Sequence, residues 1–169
     1  IFIPKNLPLT EYPDERKTLC VGTFGAKESF YTMKGIANGI ADSLDVAFTY
    51  EPIQKSFLHP YQAVKVLCEG TEIGYFGKAA YDIQNELSMR TSAYIMELDL
   101  KELSRWYGKK RTFQPISKFQ EEKRDLAFVM DKNISCGDVE NCIREANKYV
   151  KEIRLFDVYE GGQIPEGKK

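Results

Sequence analysis

The chain has 169 residues, 43% of them hydrophobic and 29% charged, with a formal net charge of −1. That length suits one large or two small domains able to bury a core, and the composition excludes a disordered or fibrous chain. The total charge excludes no partner, but residues 1–100 carry 9 basic and 13 acidic groups and residues 101–169 carry 15 and 12, so an anionic partner is expected at the second part.

In chain order, the opening Ile1-Phe2-Ile3-Pro4 reads as a short apolar strand that starts abruptly, as if cut through a domain. Asn6 to Lys17 is polar, holds Pro8 and Pro13, and reads as a loop. Thr18 to Phe24 is apolar and β-branched, a strand pattern. From Tyr31 onward Met33, Ile36, Ala37, Ile40, Ala41 and Leu44 recur at the spacing of an amphipathic helix. Gly35 and Gly39 inside it each cost ~1 kcal/mol relative to alanine, and their spacing points to close backbone packing on a neighbour.

Val46, Phe48 and Tyr50 alternate as in a half-buried strand. Val64 to Cys68 and Ile73 to Phe76 read as a hairpin across Glu69-Gly70-Thr71-Glu72. Lys78 to Glu86 reads as a short helix and Tyr94 to Leu98 as a strand. Asp99 is the expected cap of a helix over Leu100 to Trp106, with Glu102 at the reciprocal position. Trp106-Tyr107 reads either as an anchor for another domain or subunit, or as ordinary burial at a helix end. Gly108 to Thr112 is the expected linker between a first domain over residues 1–107 and a second over 113–169.

In the second domain Leu126 to Met130 is a near-continuous apolar run, the pattern of a strand covered on both faces. Ser135 opens a helix, with Asp138 as its capping-box partner and Val139, Cys142, Ile143 and Ala146 at helical spacing. A further strand runs from about Val150 to Tyr159 and stops at Gly161-Gly162. β-α-β followed by a turn is the first half of a ferredoxin-like β-α-β-β-α-β domain, and the end at Lys169 is expected to leave that domain partial. The whole is α+β, with an antiparallel first part.

Little in the chain points to chemistry of its own. Cys20, Cys68, Cys136 and Cys142 show no C-x-x-C and no metal-ligand spacing, and reduced, mostly buried thiols are expected. His59, the single histidine, precedes Pro60 in an expected loop without the partners of a triad, and is expected to hydrogen-bond the turn. Asp42/Asp45 and Asp82/Glu86 read as solvated helix-end charges. Between Lys17 and Arg105 the only arginine is Arg90, too few for a site that holds ATP phosphates, and there is no phosphate loop. No apolar run approaches the ~20 residues of a membrane span, and a soluble intracellular chain is expected.

Against that background the basic groups matter more. Lys109-Lys110-Arg111, Lys118 and Lys123-Arg124 could meet a phosphate backbone or form a charged linker and solvated face. Lys151 and Arg154 lie near Phe156 and Tyr159, the mixture of cations and rings that reads single strands, although Phe156 suits a core equally well. Arg124-Asp125 also reads as a structural pair at the strand start.

Pro115-Ile116-Ser117-Lys118-Phe119, Arg124-Asp125-Leu126-Ala127-Phe128-Val129, Leu155-Phe156-Asp157-Val158-Tyr159-Glu160 and Ile164-Pro165-Glu166-Gly167-Lys168-Lys169 together resemble the ferredoxin-fold anticodon-binding domain that closes the β subunit of bacterial phenylalanine–tRNA ligase. Gln120-Glu121-Glu122 departs from the family, which has a proline and small or apolar residues there. Upstream, Ser29-Phe30-Tyr31-Thr32-Met33-Lys34-Gly35, Leu58-His59-Pro60, Ile73-Gly74 and Tyr94 to Leu100 resemble the catalytic-like module of the same subunit. That module is similar to a class II synthetase core that has lost catalysis.

The resemblance implies a non-catalytic, cytoplasmic subunit that supports a catalytic α subunit in an (αβ)₂ heterotetramer and binds tRNA(Phe). It implies ATP and Mg²⁺ for the whole enzyme, none bound by this chain, and neither catalytic nor metal-binding residues in it. The candidate tRNA-binding residues are Lys118, Lys123, Arg124, Lys151, Arg154 and Tyr159. The alternative is a free-standing protein-interaction or scaffold domain on the same fold.

Overall fold

A computed structural model of the chain describes residues 2–108, 113, 115–116, 118–159 and 161–169. Expectations placed on Ile1, on residues 109–112 of the linker, and on Ser117 and Glu160 lie outside the described residues. The chain divides into two compact units, Ile1–Gln114 and Pro115–Lys169.

The first unit begins with a two-residue pair, β1 (Phe2–Ile3) against β2 (Asp14–Glu15). Five further strands form one antiparallel sheet: β3 (Thr18–Phe24), β4 (Phe48–Pro52), β5 (Leu58–Cys68), β6 (Thr71–Ala79) and β7 (Ala93–Asp99), in the spatial order β3-β7-β6-β5-β4. Helix α1 (Phe30–Leu44) lies against one face, burying Met33, Ala37 and Ala41, residues four apart that share one stripe. They meet Val66, Phe76, Met96 and Leu98 from the central strands. Phe76 is wholly buried, with the Phe30 and Tyr50 rings 5.0 and 5.5 Å from its own.

Local chemistry sets where these elements start and stop. Ser29 accepts the Thr32 N–H and the Thr32 hydroxyl accepts the Ser29 N–H, a capping box that starts α1 one residue earlier than apolar spacing alone suggests. Asp45, with φ 59°, ends it. β5 and β6 turn through Glu69 and Gly70, φ 49° and 79°, a two-residue hairpin tighter than expected, since both positions take the left-handed conformation of a type I′ turn.

Several expectations are corrected. Lys78 and Ala79 continue β6, and helix α2 is only Tyr81–Glu86: strand pairing with β7 holds Lys78 opposite Tyr94 and outweighs its polarity. His59 and Pro60 belong to β5, where the register shifts between Leu58 and Ala63, an irregularity that accommodates a proline. Helix α3 (Leu100–Ser104) is capped by Asp99, which accepts the Lys101 and Glu102 N–H groups, but the Glu102 carboxylate turns to Arg105, 2.8 Å away, instead of closing a box. Trp106 fills the core and Tyr107 is exposed. Gly35 and Gly39 face outward, and a Cβ on either would meet nothing within 4 Å, so no described neighbour packs on them. Only Cys68 of the four thiols is buried.

Among the described residues of the second unit the one helix is α4 (Cys136–Ala146). The expected box is present: Ser135 Oγ accepts the Asp138 N–H at 3.1 Å and Asp138 Oδ2 accepts the Ser135 N–H at 3.2 Å. The Ser135 hydroxyl, which also donates to Asp138 Oδ2 at 2.7 Å, and then the Ser135 N–H hold the Asp138 carboxyl below its ordinary value, so the stabilisation is present above the ordinary carboxylate range and is lost as pH falls through the lowered pKa. Ser135→Ala is expected to cost about 1 kcal/mol of α4 stability at neutral pH, read as faster exchange of the α4 amide protons. An unchanged exchange rate would show that packing, not the cap, holds the helix.

The two expected strands of this unit are not strands. Residues 126–129 and 150–159 have no regular secondary structure and join no strand ladder among the described residues, and Leu126, Phe128 and Val129 are half or more exposed. Backbone pairing among the described residues is confined to the chain end: Met130 and Lys169 exchange both backbone bonds, Lys132 N–H donates to Gly167 O, and Asp131 bridges Lys168. An apolar run marks a preference for extended backbone, but a strand exists only where a second backbone takes its hydrogen bonds.

Candidate nucleic-acid interface

The sheet turns two different faces outward from its core plane. The face under α1 is apolar, and on the other the register aligns Cys20, Glu97, Tyr75, Lys65 and Glu51 in one row across all five strands. These side chains engage one another. The Tyr75 hydroxyl donates to Glu97 Oε2, Lys65 Nζ lies 2.7 Å from Glu51, and Lys55 Nζ lies 4.4 Å above the Tyr75 ring. Burial and the neighbouring Glu97 push the Tyr75 phenol well above its ordinary value, so it stays protonated and donating.

Beside the middle of this row lies an open groove of about 380 Å³, lined among others by Arg16, Lys55, Glu72, Tyr75, Glu97 and Asp99. Two of its carboxylates have partners: Asp99 caps α3 and meets Arg16 at 3.4 Å, and Glu97 accepts from Tyr75. An ATP·Mg²⁺ site needs arginines free for phosphates and carboxylates free for the metal. Among the described lining residues Arg16 is the one arginine, and it lies 3.4 Å from Asp99, so the groove supplies no pair of arginines for phosphates and its residues do not fit that group. His59 likewise has a structural bond, its Nδ1 accepting the Tyr61 N–H at 3.2 Å.

All six residues singled out for RNA lie in the second unit, and all six are exposed. Lys151 reaches back 30 residues to Glu121, with Nζ and Oε1 2.9 Å apart, and so ties residues 121–124 beside the start of the 150–159 segment. The Lys151 bond lowers the Glu121 pKa, and the charge of Lys123 close by adds to that effect. Arg124 pairs with Glu122 rather than Asp125, which replaces the expected Arg124–Asp125 pair. Lys118 and Arg154 have no tie to this cluster among the described contacts. Tyr159 stands beside Gly161, and Phe156 is 71% exposed, a surface ring rather than a core one.

Glu121 and Glu122, whose carboxylates hold Lys151 and Arg124, are the residues sequence reasoning left out. Their signal was visible as an acidic departure in an otherwise basic stretch. Surface pairs of this kind are weak, about 0–1 kcal/mol, so a phosphate can compete for either cation. The described contacts thus pair the exposed cations Lys151 and Arg124 with Glu121 and Glu122, while Phe156 and Tyr159 are exposed without a described contact to them.

Comparison with known proteins agrees with this division. Residues 1–100 match the model of the phenylalanyl tRNA synthetase beta chain CLM domain, and residues 117–169 match that of the ferredoxin-fold anticodon binding domain. The phenylalanine–tRNA ligase beta subunit of Bacillus licheniformis is 35% identical over 143 residues, 83% of this chain and 18% of that protein. Its counterpart in Halalkalibacterium halodurans is 29% identical across 100% of this chain and 22% of its own length. That of Pseudomonas fluorescens is 35% identical over 78% of this chain and 16% of its own. The chain therefore spans about a fifth of the length of these relatives. With the CLM model covering residues 1–100 and the anticodon-binding model following it in the same order, the chain belongs to the phenylalanyl tRNA synthetase beta chain family.

Proposed function

We propose that this chain serves as a non-catalytic part of a phenylalanine–tRNA ligase, in which the first domain (residues 1–107) supports a catalytic α subunit and the second (residues 113–169) binds tRNA(Phe). ATP and Mg²⁺ then belong to the reaction of the whole enzyme, an (αβ)₂ assembly in the cytoplasm. The observation that carries this reading is the succession of a CLM match and an anticodon-binding match along one chain. The self-engaged polar face of the sheet supports a supporting rather than catalytic role for the first domain. No described helix is long and apolar enough to cross a membrane.

Within the second domain, Lys123, Arg124 and Lys151 supply phosphate contacts, Lys118 and Arg154 extend them, and Tyr159 offers a ring to an unstacked base. Binding is weak, because the segments that carry these groups join no strand ladder among the described residues. In fluorescence anisotropy the chain is expected to bind an anticodon stem-loop of tRNA(Phe) with a log affinity that falls by roughly two to three per decade of salt, for about three phosphates neutralised. Affinity that does not respond to salt would contradict the assignment of these cations.

A further inference from the structure

A second group of rings lies in the first unit, apart from the polar row of the sheet. His59 in β5 sits 5.3 Å from Tyr81 of α2 and 6.1 Å from Tyr61, ring centre to ring centre, with the planes 74° and 61° apart. The three rings thus form an angular notch rather than a stack. Tyr61 is 91% exposed and Tyr81 58%, so both rings are open to a ligand, and what sets them apart from the other exposed rings is their grouping with His59 and Lys78. Beneath them Lys78 is only 9% exposed; its ammonium lies 4.7 Å above the Tyr81 ring and 3.4 Å from the Tyr81 hydroxyl. Among the described residues no carboxylate pairs with Lys78.

The hydrogen bonds orient the notch chemically. The Tyr81 oxygen accepts from Lys78, so its own proton points elsewhere and is available to donate. His59 Nδ1 accepts the Tyr61 N–H, which assigns the neutral ring's proton to Nε2, a second donor. Two donors in front of an uncompensated ammonium favour an anionic acceptor and disfavour a cation or a neutral proline-rich peptide. An exposed ring beside such an acceptor site suits a base attached to a phosphate.

We propose that the notch of His59, Tyr61 and Tyr81 over Lys78 is a second contact for single-stranded RNA, with one base on the Tyr61 ring and the adjoining phosphate accepting from Tyr81 and His59. This rests on the reading of the chain as RNA-binding, but its residues are separate from the candidate anticodon-side surface. Asp82, next to Tyr81 in sequence, opposes an anion and weakens the contact.

The test is heteronuclear NMR of the labelled 169-residue chain titrated with a mixed-sequence eight-nucleotide RNA and, separately, with adenosine monophosphate. The RNA is expected to move the resonances of His59, Tyr61 and Tyr81. Tyr61→Ala then weakens that contact about tenfold or more, Tyr81→Phe about threefold, and Asp82→Asn tightens it. Both Tyr61→Ala and Tyr81→Phe spare the core, and the unchanged spectrum of Met33, Phe76 and Met96 checks this. RNA-induced shifts confined to residues 118–159 overturn this inference and leave the anticodon-side reading standing. Shifts confined to the notch do the reverse. Equal affinity for the mononucleotide overturns the single-strand assignment, and no shift anywhere overturns both.

Discussion

Gly74→Ala is expected to destabilise the first unit by roughly 3–5 kcal/mol, a large share of the 5–15 kcal/mol that typically holds a domain together. Gly74 lies in β6 opposite Leu98 of β7 with φ 155°. A Cβ there would sit 2.0 Å from the Glu97 carbonyl oxygen and 2.9 Å from Leu98 Cα, both backbone and unable to swing aside. The two central strands would have to separate, and with them the Tyr75–Glu97 bond and the packing of Phe76 and Leu98 beneath α1. Gly70→Ala is the control, since it carries only the cost of a positive φ, 79°, in open space and should lose about 1 kcal/mol. Urea unfolding followed by Trp106 fluorescence measures both. A Gly74→Ala loss no greater than that of Gly70→Ala would mean that β6 and β7 do not approach this closely.

Reversing Lys123, Arg124 and Lys151 together to glutamate is expected to weaken binding of a tRNA(Phe) anticodon stem-loop on the order of a hundredfold at low salt and to flatten its salt dependence. All three side chains are exposed and their ion pairs are surface ones, so the fold should be little affected. The exchange Glu121→Lys with Lys151→Glu offers a sharper comparison. It keeps the pair and the net charge while moving the cation by one partner's reach. If position matters, the exchanged variant binds more weakly than the parent; if only net charge matters, the two bind alike. Anisotropy titrations across a salt series distinguish these outcomes, and an unaltered affinity in the triple reversal would remove these residues from the interface.

Much of the first unit was legible because its signals are local. A β-branched apolar run located β3, alternation located β4, and helical spacing located the stripe Met33, Ala37, Ala41. The box at Ser29 was missed because it is closed by Thr32 rather than by glutamate or glutamine. The end of β6 was missed because Lys78 and Ala79 have no strand propensity of their own and are held by pairing, Lys78 with Tyr94 of β7 and Ala79 with Leu58 of β5. Gly35 and Gly39 show the limit of arguing from cost: their spacing implied a close neighbour, yet both are exposed.

The second unit was legible in its helix and not in its strands. Ser135 and Asp138 make a box that depends on four residues alone, whereas Leu126 to Met130 and Val150 to Tyr159 depend on partners that periodicity does not name. The candidate interface was found in part for the same reason. Clusters of Lys and Arg are visible in sequence, but the tie from Lys151 to Glu121, 30 residues away, which brings the clusters together, is a tertiary fact.

The most direct test of the account is native mass spectrometry of the protein purified gently from the cells that make it. On the proposed reading the chain is part of a non-catalytic subunit, which needs a second polypeptide to perform chemistry. The expected result is therefore an assembly with equal numbers of this protein and a distinct second polypeptide, two of each, retaining tRNA. A monomer or homodimer with neither a second polypeptide nor RNA would contradict the account and leave a free-standing scaffold on the same fold.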